Sequence, residues 1–275
     1  MRDGSTPDDE EITRPLEVVD QKAIEHANIQ AVAFDFDDTV VCLPVSWQSV
    51  MADLFVEVLL PTAPAAERSR AHASFTSQIE ARSGTPLTVL MDWLRVLARG
   101  VGHATPRPVS EYRDVFDARW QLVADNLHRP EHVPAGLRAL AAELSGLGVQ
   151  LYVVTGGDLQ HKRRMLRQLE LGDVLPEQHV FGDKDPGVGG TRFTKRAALA
   201  EIDLAVRAVI GNHVGAASPV VALIGDSEHD MREAQAAGAL AVGYRQRSFA
   251  HAVITGAAFP TAAEFARHIP VRGAL

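Results

Sequence analysis

The sequence predicts an α/β fold: a Rossmann-like, doubly wound parallel sheet interrupted by an inserted α-helical domain. Three observations predict it. From residue 135 onward, short β-rich apolar runs alternate with helical patterns, the signature of a parallel sheet with helices on both faces. The stretch 44–134, between the first two apolar runs, carries helical periodicity alone. Three of the runs end in polar clusters, and an open parallel sheet binds ligands outside the carboxyl ends of its strands.

The strands are expected at 30–36 (QAVAFDF), 149–155 (VQLYVVT), 178–181 (QHVF), 219–225 (PVVALIG) and 239–243 (ALAVG), with helices over 135–147, 158–170, 194–208 and 228–237. In the insert, Trp47, Val50, Met51, Leu54, Phe55 and Val58 recur at helical spacing behind Ser46, a good N-cap. A weaker helix covers 65–81. Thr85 followed by Pro86 is a cap and a first-turn proline, opening a helix with Leu87, Leu90, Met91 and Leu94. Ser110 opens a fourth, with Tyr112, Phe116, Trp120, Val123 and Leu127 on one side. These aromatic stripes read as core. The division is then an acidic tail and lead-in over 1–28, an α/β core over 29–43 and 135–275, and the helical unit over 44–134.

With 275 residues, 46% hydrophobic and 23% charged, the chain has the composition of a globular protein. Its net charge of −8 gives no basic footprint for nucleic acid. Residues 1–28 hold eight acidic residues against three basic ones, and the first dozen read as a solvated tail. Cys42 is the single cysteine, so no intrachain disulfide can form, which fits a reducing compartment. No apolar run reaches the ~18 residues a membrane span needs, and the N-terminus has no apolar leader. A cytoplasmic location, with neither membrane nor nucleic acid as partner, is expected.

The polar clusters carry the chemistry. Asp35, Asp37, Asp38 and Thr39 follow the first run, Thr155-Gly156-Gly157 the second, and Gly225-Asp226-Ser227-Glu228-His229-Asp230 the fourth. Unpaired carboxylates are costly in a buried strand, so their concentration at strand ends calls for a counter-charge. Oxygen ligands of this kind suit Mg²⁺ with a substrate phosphate. Asp38 reads as a turn residue.

Together DFDDT, Thr155 after an apolar strand, a downstream lysine and GDSEHD resemble the four signature motifs of the haloacid dehalogenase-like hydrolase superfamily, in order, over residues 30–245. The helical insert resembles that superfamily's type 1 cap. The resemblance implies a phosphatase acting on a small phosphorylated metabolite. Asp35 would be the nucleophile and Asp37 the acid and base. Thr39 would brace the loop, and Thr155 and the Gly156 amide would hold phosphate oxygens. Mg²⁺ would sit on Asp35, Asp226 and the Asp37 carbonyl, with Asp230 in support. The catalytic lysine would be Lys195, at a helix start behind Thr194, in preference to Lys184 in GDKDPGVGG.

Asp37 favours phosphoryl transfer over dehalogenation, because a halide leaves without a proton. A phosphonatase would need a cap lysine, and residues 44–134 contain none. A phosphomutase on the same core stays open. A non-catalytic binding protein fits the complete polar set poorly. The insert is near neutral, with nine arginines and ten acids, and its ARSGTP loop makes Arg82 and Thr85 candidate substrate contacts. The glycine-rich GVGG at 187–190 follows no strong strand and reads as a loop.

Overall fold

The computed structural model describes residues 16–82, 85, 87–102, 106–127, 129–183, 193–211, 215 and 218–271. Among the described residues the sheet has seven strands: β1 (Leu16–Val18), β2 (Ala31–Phe34), β3 (Gln150–Asp158), β4 (Val180–Asp183), β5 (Val221–Gly225), β6 (Leu240–Tyr244) and β7 (Ala252–Ile254). They lie in the order β1-β7-β6-β5-β2-β3-β4, parallel except for β1 against β7.

Side chains alternate across this sheet, and the two faces form separate cores. Val32, Phe34, Ala222 and Ile224 enter one. Ala31, Ala33, Val221 and Leu223 enter the other. Helices α6 (Leu137–Gly146) and α7 (Leu159–Gln168) cover the first face, and α8 (Lys195–Ile210) and α9 (Glu228–Ala236) the second. Both faces being covered explains why the strands read as continuous apolar runs.

The central strand β2 lies between β3 and β5. The chain winds outward from β2 through β3 to β4, then returns to β5 on its other side. That reversal opens a crevice at the carboxyl ends of β2 and β5, which is where Asp35 and Asp226 emerge.

Helices α2 (Trp47–Leu59), α3 (Ala65–Glu80), α4 (Leu87–Gly100) and α5 (Val109–Leu127) share a third core. Phe55 lies 5.4 Å from Phe75 and 5.0 Å from Trp93, ring centre to ring centre. Ser46 caps α2 by accepting from the Ser49 amide at 3.2 Å. The two connections to the insert run side by side, with the Cys42 amide donating to the His132 carbonyl at 2.9 Å.

The lead-in after the acidic tail is more than a linker. Its residues form β1 on the sheet edge and α1 (Gln21–Glu25), burying Leu16 and Ile24 in the core. Together with β7 and α10 (Ala262–His268), these elements close the sheet beyond β6. Among the described residues no helix is long and apolar enough to cross a membrane.

Candidate active site

At the end of β2 the Asp35 amide still makes a sheet hydrogen bond, donating to the Ile224 carbonyl at 2.8 Å. A tight turn follows. The amides of Val40 and Val41 both donate to the Phe36 carbonyl, and the Asp38 amide donates to the Val41 carbonyl. Asp38 takes a left-handed backbone, φ 62°, which aspartate tolerates better than most residues. Phe36 is fully buried and anchors the turn, with Asp35 and Asp37 on either side of it.

Lys195 is the first residue of α8, behind Thr194, whose hydroxyl accepts from the Ala197 amide at 3.1 Å. Its buried ammonium donates to both Asp35 and Asp230. Burial alone would lower the lysine pKa, but the two carboxylates outweigh it and the ammonium is held charged. Asp230 closes a capping box at the start of α9: its carboxylate accepts from the Ser227 amide and hydroxyl, at 3.2 and 2.6 Å, and its own amide donates to Ser227 Oγ. These contacts and Lys195 overcome its burial and lower its pKa. Gly225 makes this possible, because a Cβ there would lie 2.6 Å from that of Asp230.

A second lysine is the residue that sequence reasoning missed. Lys162, on α7, is 1% exposed, and its ammonium donates to Asp37 Oδ1 and Oδ2 at 2.6 and 2.8 Å. It also lies 4.4 Å from the centre of the Phe36 ring. Gly157 clears its path, since a Cβ at that position would meet Lys162 Cε at 2.6 Å. A signal was available: Leu159, Lys162, Leu166 and Leu169 share a helical stripe, and a lysine in an apolar stripe needs a buried partner.

Thr155 is buried at the carboxyl end of β3, where its hydroxyl accepts from the Gly157 amide at 3.1 Å. Gly156 is exposed on the same edge. Asp226 completes the cluster, accepting from the buried Thr39 hydroxyl at 3.3 Å. Burial, then the charges of Asp230 and Asp38, push Asp226 up to about 7. Burial likewise raises Asp35 well above the usual carboxylate range, with Asp230 and Asp226 adding to it and Lys195 opposing.

Carboxylate oxygens of Asp35, Asp226 and Asp230 lie within 4.8 Å of one another. Both oxygens of Asp230 are engaged, by Lys195 and by Ser227, whereas Asp35 meets Lys195 through Oδ1, so Asp35 and Asp226 are better placed to take a divalent cation. Burial, with neighbouring carboxylates, raises both pKa values, and such an ion would favour the ionised forms.

These residues line one end of a cavity of about 760 Å³ whose other wall comes from the helical insert. Thr85 lines it; Arg82 does not. Arg82 instead donates to the Gln78 carbonyl at the end of its own helix and stacks 4.3 Å from the centre of the Trp93 ring. Lys184, the alternative lysine, lies outside the described residues.

The model of the haloacid dehalogenase-like hydrolase family matches residues 29–238. Among solved structures, a predicted phosphoglycolate phosphatase from Haemophilus somnus 129PT is similar with a TM-score of 0.52 and 17% identity, over 78% of this chain and 84% of that one. A family IA, variant 3 HAD hydrolase from Entamoeba histolytica HM-1:IMSS gives 0.50 at 13% identity, covering 78% and 83%. At such identities the likeness concerns the fold. No curated protein matches the sequence.

Proposed function

The chain belongs to the haloacid dehalogenase-like hydrolases, and on that premise we propose that it is a Mg²⁺-dependent phosphatase hydrolysing a small phosphorylated metabolite through an aspartyl-phosphate at Asp35. The observation that carries this reading is that each of two neighbouring carboxylates has its own buried lysine, Asp35 with Lys195 and Asp37 with Lys162. Asp35, whose ionised form Lys195 and a bound cation would favour against its burial, would attack phosphorus. The bond from phosphorus to the alcohol oxygen breaks, and the proton on Asp37 goes to that departing oxygen. In the second half a water attacks the aspartyl-phosphate, giving its proton back to Asp37 and freeing Asp35 and inorganic phosphate.

Lys195 would offset the negative charge shared by Asp35 and the phosphoryl oxygens, and Thr155 with the Gly156 amide would hold those oxygens in place. Thr39 would brace Asp226, and Asp230 would fix Lys195. Asp35, Asp226 and the Asp37 carbonyl would hold Mg²⁺, which would supply charge neutralisation to the transferring group. The helical insert would act as a cap over the site, excluding water when closed and selecting the leaving group.

The test is Asp35→Asn, an isosteric change that removes the nucleophile. Phosphate release from an aryl phosphate should fall by at least about 10³-fold with the fold intact. Acid-quenched wild type should carry the mass of one extra phosphoryl group during turnover, and the variant should not. A variant retaining a tenth of the wild-type rate would exclude Asp35 as nucleophile.

A further inference from the structure

The wall contributed by the helical insert differs in chemistry from the phosphate end. Trp47 on α2 and Trp120 on α5, both half-buried, line the cavity, with Phe116 buried in the insert core behind them. Trp47 and Trp120 also border a small cleft with Asp37 and Asp38, so two indoles stand beside the residue assigned to protonate the leaving oxygen. The same wall has neutral hydrogen-bonding groups in Gln48, Gln121 and Thr88. The side-chain carbonyl oxygen of Gln48 is buried with no hydrogen-bond partner among the described residues.

Among the described residues, the basic groups on this wall are already paired. Arg113 is the one basic residue of the insert that lines the cavity among the described residues. Its Nε donates to both carboxylate oxygens of Asp117 at 2.8 Å, and its Nη2 reaches Asp183 at 3.3 Å. One guanidinium therefore faces two carboxylates, and Glu233 adds a further acid to the lining. The two lysines in the described lining are bound, Lys162 to Asp37 and Lys195 to Asp35 and Asp230. A second phosphate or a carboxylate on the substrate would have to break an ion pair and then lie beside the displaced acid.

Resting on the phosphatase reading, we propose that the substrate is a monophosphate ester of an uncharged, ring-bearing alcohol. Its flat ring stacks against Trp47 and Trp120, and a ring substituent with an N–H or O–H donates to Gln48. Esters with a second anionic group are excluded by the neutralised Arg113. This also disfavours a mutase, whose bisphosphate intermediate must place a second phosphate against this wall.

The experiment compares benzyl phosphate, ethyl phosphate and phosphoglycolate as substrates, and benzylphosphonate against phosphonoacetate as inert ligands followed by tryptophan fluorescence. Benzyl phosphate should exceed ethyl phosphate in kcat/KM by about 10²-fold, roughly tenfold for each of two stacked rings. Phosphoglycolate should be the poorest of the three. Trp120→Ala should lower kcat/KM for benzyl phosphate, through KM, by about tenfold more than it lowers that for ethyl phosphate, with Trp120→Phe restoring most of the difference. Asp117→Asn, which frees Arg113 from one acid, should raise phosphoglycolate turnover about tenfold, a gain that misfolding cannot produce. Phosphoglycolate matching benzyl phosphate, or phosphonoacetate binding as tightly as benzylphosphonate, overturns the proposal. If no ester is hydrolysed but benzylphosphonate alone binds, the phosphatase reading fails and the ligand class stands.

Discussion

Lys162→Met removes one charge from a buried site while keeping the length of the side chain. The ammonium lies about 3 Å from the Asp37 carboxylate, and at an effective dielectric constant of about 20 that pair is worth roughly 5 kcal/mol before desolvation is subtracted. Its consequence for turnover is positional. Freed from Lys162, the Asp37 side chain gains access to its other staggered rotamers, and a displacement of about 1 Å costs on the order of 10²-fold in rate. The loss should depend on the leaving group. An alkyl alkoxide needs the proton from Asp37, so kcat/KM for an alkyl phosphate should fall by about 10²-fold, against the ~10²–10⁴ that a general acid contributes. The p-nitrophenolate ion leaves without a proton, and its ester should lose about fivefold or less. Because kcat/KM covers only the steps through transfer to Asp35, a later defect in water activation does not blur the comparison. Stability should move the opposite way from intuition: Met at a position 1% exposed changes it by about 1 kcal/mol or less, whereas Asp37→Asn strands a buried ammonium and costs about 3–5 kcal/mol. Denaturant melts of both variants and of the double variant, which should recover most of that cost, check this. An equal loss on both esters would show that Lys162 merely supports the fold, and a wild-type rate on the alkyl ester would refute the positioning of Asp37.

Three further outcomes are expected. Added Mg²⁺ should raise the melting temperature of the chelated protein, with about 2.7 kcal/mol of stabilisation at a hundredfold excess over Kd, and Asp226→Asn should abolish the shift; an unchanged melt in wild type removes the metal from Asp35 and Asp226. Lys195→Ala should cost at least about 10²-fold in phosphate release and Lys184→Ala little, because Lys195 is the ammonium on Asp35; the reverse pattern would reassign the catalytic lysine. Thr85→Ala should alter the ranking of two unlike phosphate esters and Arg82→Ala should not, since only Thr85 borders the cavity; a change with Arg82 alone would place that loop differently over the substrate.

The cluster at the sheet edge was legible in the sequence because its signals are local. A buried strand announces itself as a short apolar run, and the carboxylates that interrupt its end must point out of the core. Thus Asp35, Thr155 and Asp226 could be assigned to one edge from three strand ends alone. The helices of the insert were legible for the same reason, through their period and through Ser46 as a cap. The outer strands β1 and β7 were not, since three residues, LEV or AVI, carry too little pattern to stand out until they pair with each other across the whole chain.

By itself, then, the sequence determined the α/β class, the helical insert and the identity of the carboxylates, all properties of segments a few residues long. Only the tertiary structure decided the partners. Lys162 and Asp37 are 125 positions apart, and helical period says that Lys162 faces inward but not which carboxylate it meets. Arg113 is one of nine arginines in the insert, and is neutralised because α5 brings it to the end of β4 as well as to Asp117. Arg82 reads as a substrate contact, yet the end of its own helix and Trp93 hold it away from the cavity. Periodicity reveals which face a side chain takes, whereas charge compensation depends on what the packing of distant elements places against that face.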